Sequence, residues 1–217
     1  MVLDNYRSTL DWWLVPLAKA LRRVHPDVLT WFAFAAAVLG GLAFWRSGTS
    51  PEGLRLLALA WVCVGLNSVL DLLDGKVAQM TGKASPRGDF LDHAIDRASD
   101  VALLLGIAFS PWARLEVGTF AIAITLLVSY MGTQAQAVGL RRNYGGLLGR
   151  ADRMVILLVV PLAQLAVLEF AWPQPWLGFT PSLLDLALLY FAVVGAIALV
   201  QRFFVILGSF GPEGKLK

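Results

Sequence analysis

Apolar residues in this chain do not alternate with polar ones, as they would along a half-buried strand. They run together in blocks long enough to cross a bilayer as helices. Six such blocks, at 28–45, 54–73, 90–112, 117–138, 154–172 and 183–207, predict six transmembrane helices. Upstream of them, Leu3, Tyr6, Leu10, Trp13, Leu14, Leu17, Leu21 and Val24 recur at steps of three and four, with Asp4, Arg7, Asp11, Lys19, Arg22 and Arg23 at other positions. That period predicts an amphipathic helix, lying on the inner leaflet or packed against the bundle, and Pro16 within it predicts a kink or two short pieces. The expected organisation is all-α: a juxtamembrane segment at 1–27, one six-helix membrane domain at 28–207 and a tail at 208–217. Neither a repeat nor a cleavable signal peptide is expected.

Composition supports the membrane reading and narrows it. Of 217 residues, 58% are hydrophobic and only 15% charged, with a mean hydropathy of +0.68, which excludes a water-soluble single core and a disordered chain. The one cysteine, Cys63, sits in an apolar run, so neither a disulfide nor a zinc site follows. The net charge of +3 is spread in small groups between apolar blocks, which argues against nucleic acid as a partner. Of the 18 Lys and Arg, only Arg46, Arg55 and Arg114 fall in segments that would be external if the N-terminus is internal. Positive segments stay inside, so both termini are expected on the cytoplasmic face of the cell membrane. Trp45, Trp112, Trp172 and Trp176 then fall at the outer ends, where amphipathic rings sit.

Acidic residues gather where a membrane domain should not hold them. Six of the 15, Asp71, Asp74, Asp89, Asp92, Asp96 and Asp100, lie on either side of the connection between the second and third blocks. Asp71 and Asp74 are one helical turn apart, as are Asp92 and Asp96, so each pair shares a face, whereas Asp89 points away as a cap or a solvated residue. An ionised carboxylate in a membrane segment costs at least ~2.5 kcal/mol, and something positive must offset it. Lys76, Arg87 and Arg97 are near enough in sequence to pair with some of them. Oxygen-only donors on two facing helices also suit Mg²⁺ or Mn²⁺, completed by water and substrate phosphates. Gly75 and Gly88, with Ala78, leave room for a base or a phosphate to approach the backbone. His93 reads as an ordinary packed residue.

The run Asp71, Asp74, Gly75, Ala78, Gly88, Asp92 and Asp96 resembles the signature of the CDP-alcohol phosphotransferases, D-x2-D-G-x2-A-R-x8-G-x3-D-x3-D, with seven of eight fixed positions in place. Gln79 stands where the family has Arg. The segment Gly145 to Arg153 ahead of the fifth block is similar to one in the phosphatidylinositol-phosphate and phosphatidylglycerophosphate synthase branch. The resemblance implies a homodimeric transferase that moves a substituted phosphate from a CDP-linked lipid to an alcohol and releases CMP. It further implies that Asp71, Asp74, Asp92 and Asp96 hold Mg²⁺ or Mn²⁺, two ions in all, and that Asp96 is also the general base. Gly75, Ala78, Gln79, Gly88, Lys83 and Arg87 would border the CDP group.

For the acceptor, Gln134, Arg141, Arg150 and Arg153 are the candidate residues. Relatives that take phosphorylated acceptors are more basic around the position of Gln134, which leans the reading towards a neutral inositol-like polyol over its phosphate or glycerol 3-phosphate. Two readings from other classes stay open: a cation transporter built on intramembrane carboxylates, and a catalytically silent assembly factor suggested by Gln79.

Overall fold

The computed structural model describes residues 7–140, 148–170 and 182–211, with the side chains of 7–10 left aside. Within them the chain is all-helical: α1 (Arg7–Ala20), α2 (Pro26–Arg46), α3 (Pro51–Thr81), α4 (Pro86–Ala108), α5 (Leu115–Ala137), α6 (Arg150–Glu169) and α7 (Leu183–Gly208). Five of these, α2, α3, α5, α6 and α7, are long and apolar enough to cross a membrane. The third expected span, α4, does not reach that standard, because its first fifteen residues carry Asp89, Asp92, Asp96, Arg97 and Asp100. Large apolar side chains such as Phe32, Leu39, Val62, Val159 and Phe204 are exposed around the bundle, as a lipid-facing surface requires.

The helix boundaries are set by local chemistry that hydropathy does not see. Pro opens α2, α3 and α4, where its missing N–H costs nothing, and Ser50 and Ser85 accept the Gly53 and Gly88 amides at 3.1 Å. The apolar block ending at 73 underestimates α3, which runs 31 residues to Thr81 and stops at Gly82, in the left-handed region at φ 66°. At 1.5 Å per residue α3 is about 46 Å long, well beyond a ~30 Å hydrocarbon core, so its Asp-bearing end can stand clear of the lipid. Conversely α4 ends at Ala108 and not at Trp112. Trp112 is no interfacial ring: it is buried in the following turn, its indole donates to Ser47 Oγ at 2.7 Å, and its carbonyl accepts from the Ser182 hydroxyl. Beside it Arg114 grips Asp185 through Nε and Nη2 at 3.0 and 2.8 Å, locking the start of α7 to the α4–α5 turn. Trp172 and Trp176 lie outside the described residues.

At the opposite end α1 docks on the bundle. Leu14 and Ala18 are buried against Leu29, Leu73 and Val77, and Lys76 pairs with Asp11 at 2.7 Å. The helix passes through Pro16 unbroken, since the N–H that proline lacks falls on the exposed side shared with Trp12 and Leu17.

The contact that positions the acidic helix is that of α2 with α4. A Cβ on Gly41 would collide with the Ala102 carbonyl, and one on Gly106 with the Gly41 backbone. Gly41, Ala102 and Gly106 therefore let the two backbones meet, the way small residues drive helix association in lipid. Core side chains Phe44, Leu57, Leu103, Ile107, Leu184 and Phe191 fill the remaining interior.

Candidate active site

The last three turns of α3 and the first four of α4 converge at one end of the bundle, joined by a short turn at 82–85. Asp71 and Asp74 project from α3, and Asp92, Asp96 and Asp100 from α4. Burial deepens along each helix: Asp74, Asp96 and Asp100 are buried, whereas Asp71 and Asp92 are partly open and Asp89 is exposed.

Each buried acid has a specific partner. Asp74 accepts a hydrogen bond from the Thr30 hydroxyl of α2 at 2.6 Å. Asp100, 1% exposed, accepts from Arg153 Nη2 at 2.7 Å, and Arg97 Nη2 lies 3.5 Å from the same oxygen. Arg150 spans two helices, with Nη1 2.6 Å from Asp71 Oδ2 and Nη2 2.8 Å from Asp96 Oδ1. Arg97 also approaches Asp96 Oδ2, at 3.6 Å. A low-dielectric setting makes such charge-assisted pairs strong and makes any unpaired member costly.

The donor set suits a hard divalent cation. It consists of carboxylate oxygens from two facing helices, at a place where water and phosphates can complete the shell. Asp92, His93 and Asp96 each offer one donor atom within 4.8 Å of the others. His93 is therefore not simply a packed residue, as its place in the sequence suggested: its Nδ1 is 3.7 Å from Asp92 and its Nε2 3.4 Å from Asp89.

The residues expected around a nucleotide form one open face. Gly75, Ala78 and Gln79 share a side of α3, and a Cβ on Gly75 would meet nothing within 4 Å. Gln79 and Lys83 are exposed, and Gly88 is held at the start of α4 by the hydrogen bond its backbone N–H donates to Ser85 Oγ. Arg87 turns instead to Asp27 of α2, at 2.7 Å.

Of the residues expected at the acceptor, Gln134 is exposed near the end of α5, and Arg141 lies outside the described residues. Arg150 and Arg153 face the carboxylates. A cavity of about 310 Å³ opens between α4 and α5, lined by His93, Arg97, Leu126, Ser129, Tyr130 and Thr133, with Arg97 donating to Ser129 at 2.5 Å. Thr30 could not have been found from the acidic motif, because its hydroxyl reaches Asp74 across 44 positions. Arg202, buried in the apolar α7 and donating to the Val128 carbonyl at 2.9 Å, had a legible signal, a lone cation in a long apolar run.

Comparison with known proteins fits this geometry. Residues 23–200 match the model of the CDP-alcohol phosphatidyltransferase family. The chain is 32% identical over 212 residues to the phosphatidylinositol phosphate synthase of Cutibacterium acnes, spanning 93% of this chain and 95% of that one. It is 29% identical to the archaetidylinositol phosphate synthase of Methanothermobacter thermautotrophicus, over 93% and 92% of the two chains. Among solved structures, Mycobacterium tuberculosis phosphatidylinositol phosphate synthase with CDP-DAG bound superposes with a TM-score of 0.72 at 26% identity, covering 94% of this chain and 98% of that one. The same enzyme in complex with manganese and citrate superposes at 0.71 and 26% identity, covering 94% and 93%.

Proposed function

The chain belongs to the CDP-alcohol phosphatidyltransferase family, whose members are phospholipid-synthesising transferases, and on that premise we propose that it transfers the phosphatidyl group of a CDP-linked lipid to an inositol phosphate. The observation that carries this is the convergence of Asp71 and Asp74 from α3 with Asp92 and Asp96 from α4 beside the open Gly75 face. The names of the relatives favour a phosphorylated polyol over the neutral one that Gln134 suggested.

In this reading Asp71, Asp74, Asp92 and Asp96 hold two Mg²⁺ or Mn²⁺ ions. When bound, these neutralise the diphosphate and the charge left on CMP. Gly75, Ala78, Gln79, Gly88 and Lys83 border the cytidine diphosphate. Arg87 lies at the rim of that face through its pair with Asp27. The acceptor hydroxyl oxygen forms a bond to the lipid-bearing phosphorus, the bond from that phosphorus to the CMP oxygen breaks, and Asp96 takes the hydroxyl proton. The cavity between α4 and α5 supports an acceptor position next to Asp96, because Arg97 supplies positive charge, His93 an imidazole, and Ser129, Tyr130 and Thr133 hydroxyls. Gln134, next in sequence to the lining residue Thr133, and Arg141 stay candidates for binding the acceptor, and Arg150 and Arg153 set the charge of the site from behind the carboxylates.

The Lys and Arg distribution supports a position in the cytoplasmic membrane with the carboxylates and both termini inside. α4 completes a set of six spans, α1 lies along the inner leaflet with Trp12 and Leu17 outward, and the enzyme is a homodimer as in the family it resembles. The 28–207 segment is the catalytic domain.

The test is mass spectrometry of lipids formed from CDP-diacylglycerol with inositol phosphate, inositol, glycerol 3-phosphate or serine. An inositol phosphate lipid with stoichiometric CMP is expected, and Asp96→Asn should slow it by at least roughly 10²-fold with a much smaller loss of CDP-lipid affinity. Lipid from glycerol 3-phosphate alone would reassign the acceptor. No CMP release with any alcohol would favour the silent assembly factor.

A further inference from the structure

Arg150 is the first residue of α6, and its fork ties α3 to α4 by engaging Asp71 Oδ2 at 2.6 Å and Asp96 Oδ1 at 2.8 Å. Those two carboxylates are among the four assigned above to metal. The remaining oxygen of Asp96 faces Arg97 at 3.6 Å, so neither of its oxygens is clear of a guanidinium. A dication held by the same oxygens would bring its charge against that of the guanidinium, and like charges at such range repel.

Arg150 makes the two closest of these contacts, and its side chain can leave them without moving the helix that carries it. The start of α6 is fixed by the Gly149 amide donating to Asp152 at 2.8 Å, and one turn on Arg153 is buried and bonded to Asp100 at 2.7 Å. The Arg150 Nε is itself buried without a hydrogen-bond partner, 3.8 Å from Asp100 Oδ1, so this end of the side chain is held less firmly than its two amino groups.

We infer that Arg150 is a displaceable internal counter-ion of the metal site: it neutralises Asp71 and Asp96 until metal arrives, and it competes with metal for them. The inference rests on the metal reading of the site. Its signature is one substitution with two effects of opposite sign. Arg150→Gln leaves the carboxylates repelling one another, so the metal-free protein loses thermal stability, while the same change removes the competitor, so metal binds more tightly. A residue that merely supports the site would lower both.

The experiment measures Mn²⁺ binding to the full chain in detergent without CDP-lipid, by the free-Mn²⁺ electron paramagnetic resonance signal, together with Tm with and without Mn²⁺. For Arg150→Gln the expected results are Mn²⁺ affinity raised about tenfold or more, a lower metal-free Tm, and a larger Mn²⁺-induced rise than in the wild type. Arg150→Lys, which keeps the charge, should stay within about threefold of the wild-type affinity. Equal or weaker Mn²⁺ binding by Arg150→Gln overturns the inference while leaving the metal reading intact. Absence of Mn²⁺ binding in wild type and variant alike overturns both. If the variant folds only with Mn²⁺ present, release into a chelator decides the matter: slower release than from the wild type supports competition, and equal or faster release refutes it.

Discussion

Asp74 and Asp100 are both buried carboxylates, yet they are stabilised differently, and the difference predicts what their loss does. Asp74 accepts from a neutral hydroxyl, that of Thr30, so Asp74→Asn removes a charge without stranding another. Asp71→Asn, Asp74→Asn and Asp92→Asn should each abolish turnover and weaken Mn²⁺ binding while leaving folded protein in detergent, as size-exclusion profiles and Mn²⁺ titration would show. Wild-type turnover in any of them would remove that residue from the ligand set. Asp100 is bonded to Arg153, itself 3% exposed, so Asp100→Leu leaves a buried guanidinium unpaired and should cost about 3–5 kcal/mol. The double variant Asp100→Leu with Arg153→Met removes both charges and should regain most of that loss. A thermal-unfolding cycle checks this, and additive losses would show that the pair is not coupled.

At the scale of helices, the acidic face of α4 is set beside the α3 acids by the contact of α2 and α4, which touch backbone to backbone at Gly41, Ala102 and Gly106. Gly106→Val should push the two apart and lower both Tm and turnover, whereas Gly75→Ala, whose new methyl would meet no protein atom within 4 Å, should leave Tm unchanged and weaken CDP-lipid binding. Equal Tm losses in the two variants would contradict this division between packing glycine and site glycine. The two kinds look alike in the sequence. Hydropathy alone also misplaces the ends of α3 and α4, since a helix continues through polar residues while its backbone bonds are made, and stops where a cap such as Gly82 ends them.

For the molecule as a whole, one end carries the acidic site with α1 docked against it, and the other is closed by Ser47, Trp112, Arg114, Ser182 and Asp185. The Lys and Arg distribution is the basis for the proposal that the acidic end faces the cytoplasm. In a Cys63→Ser background, Lys83→Cys should react with a membrane-impermeant maleimide in inside-out vesicles and remain unlabelled in right-side-out ones. The reverse labelling would invert the topology.

Much of this was written in the chain itself. Runs of apolar residues can satisfy their backbone in lipid only as helices, so the all-α class followed from periodicity. Carboxylates at turn spacing in such helices marked the candidate site, because their cost in lipid demands that positive charge be brought to them. Tertiary structure alone decided the partners. Thr30, Arg150 and Arg153 are far in sequence from Asp74, Asp71 and Asp100, and spacing along one helix says nothing about which cation another helix delivers. For the same reason the two arginines, read from sequence as acceptor residues, turned out to face the acids: a buried carboxylate takes the charge that packing brings within reach, whatever their separation along the chain.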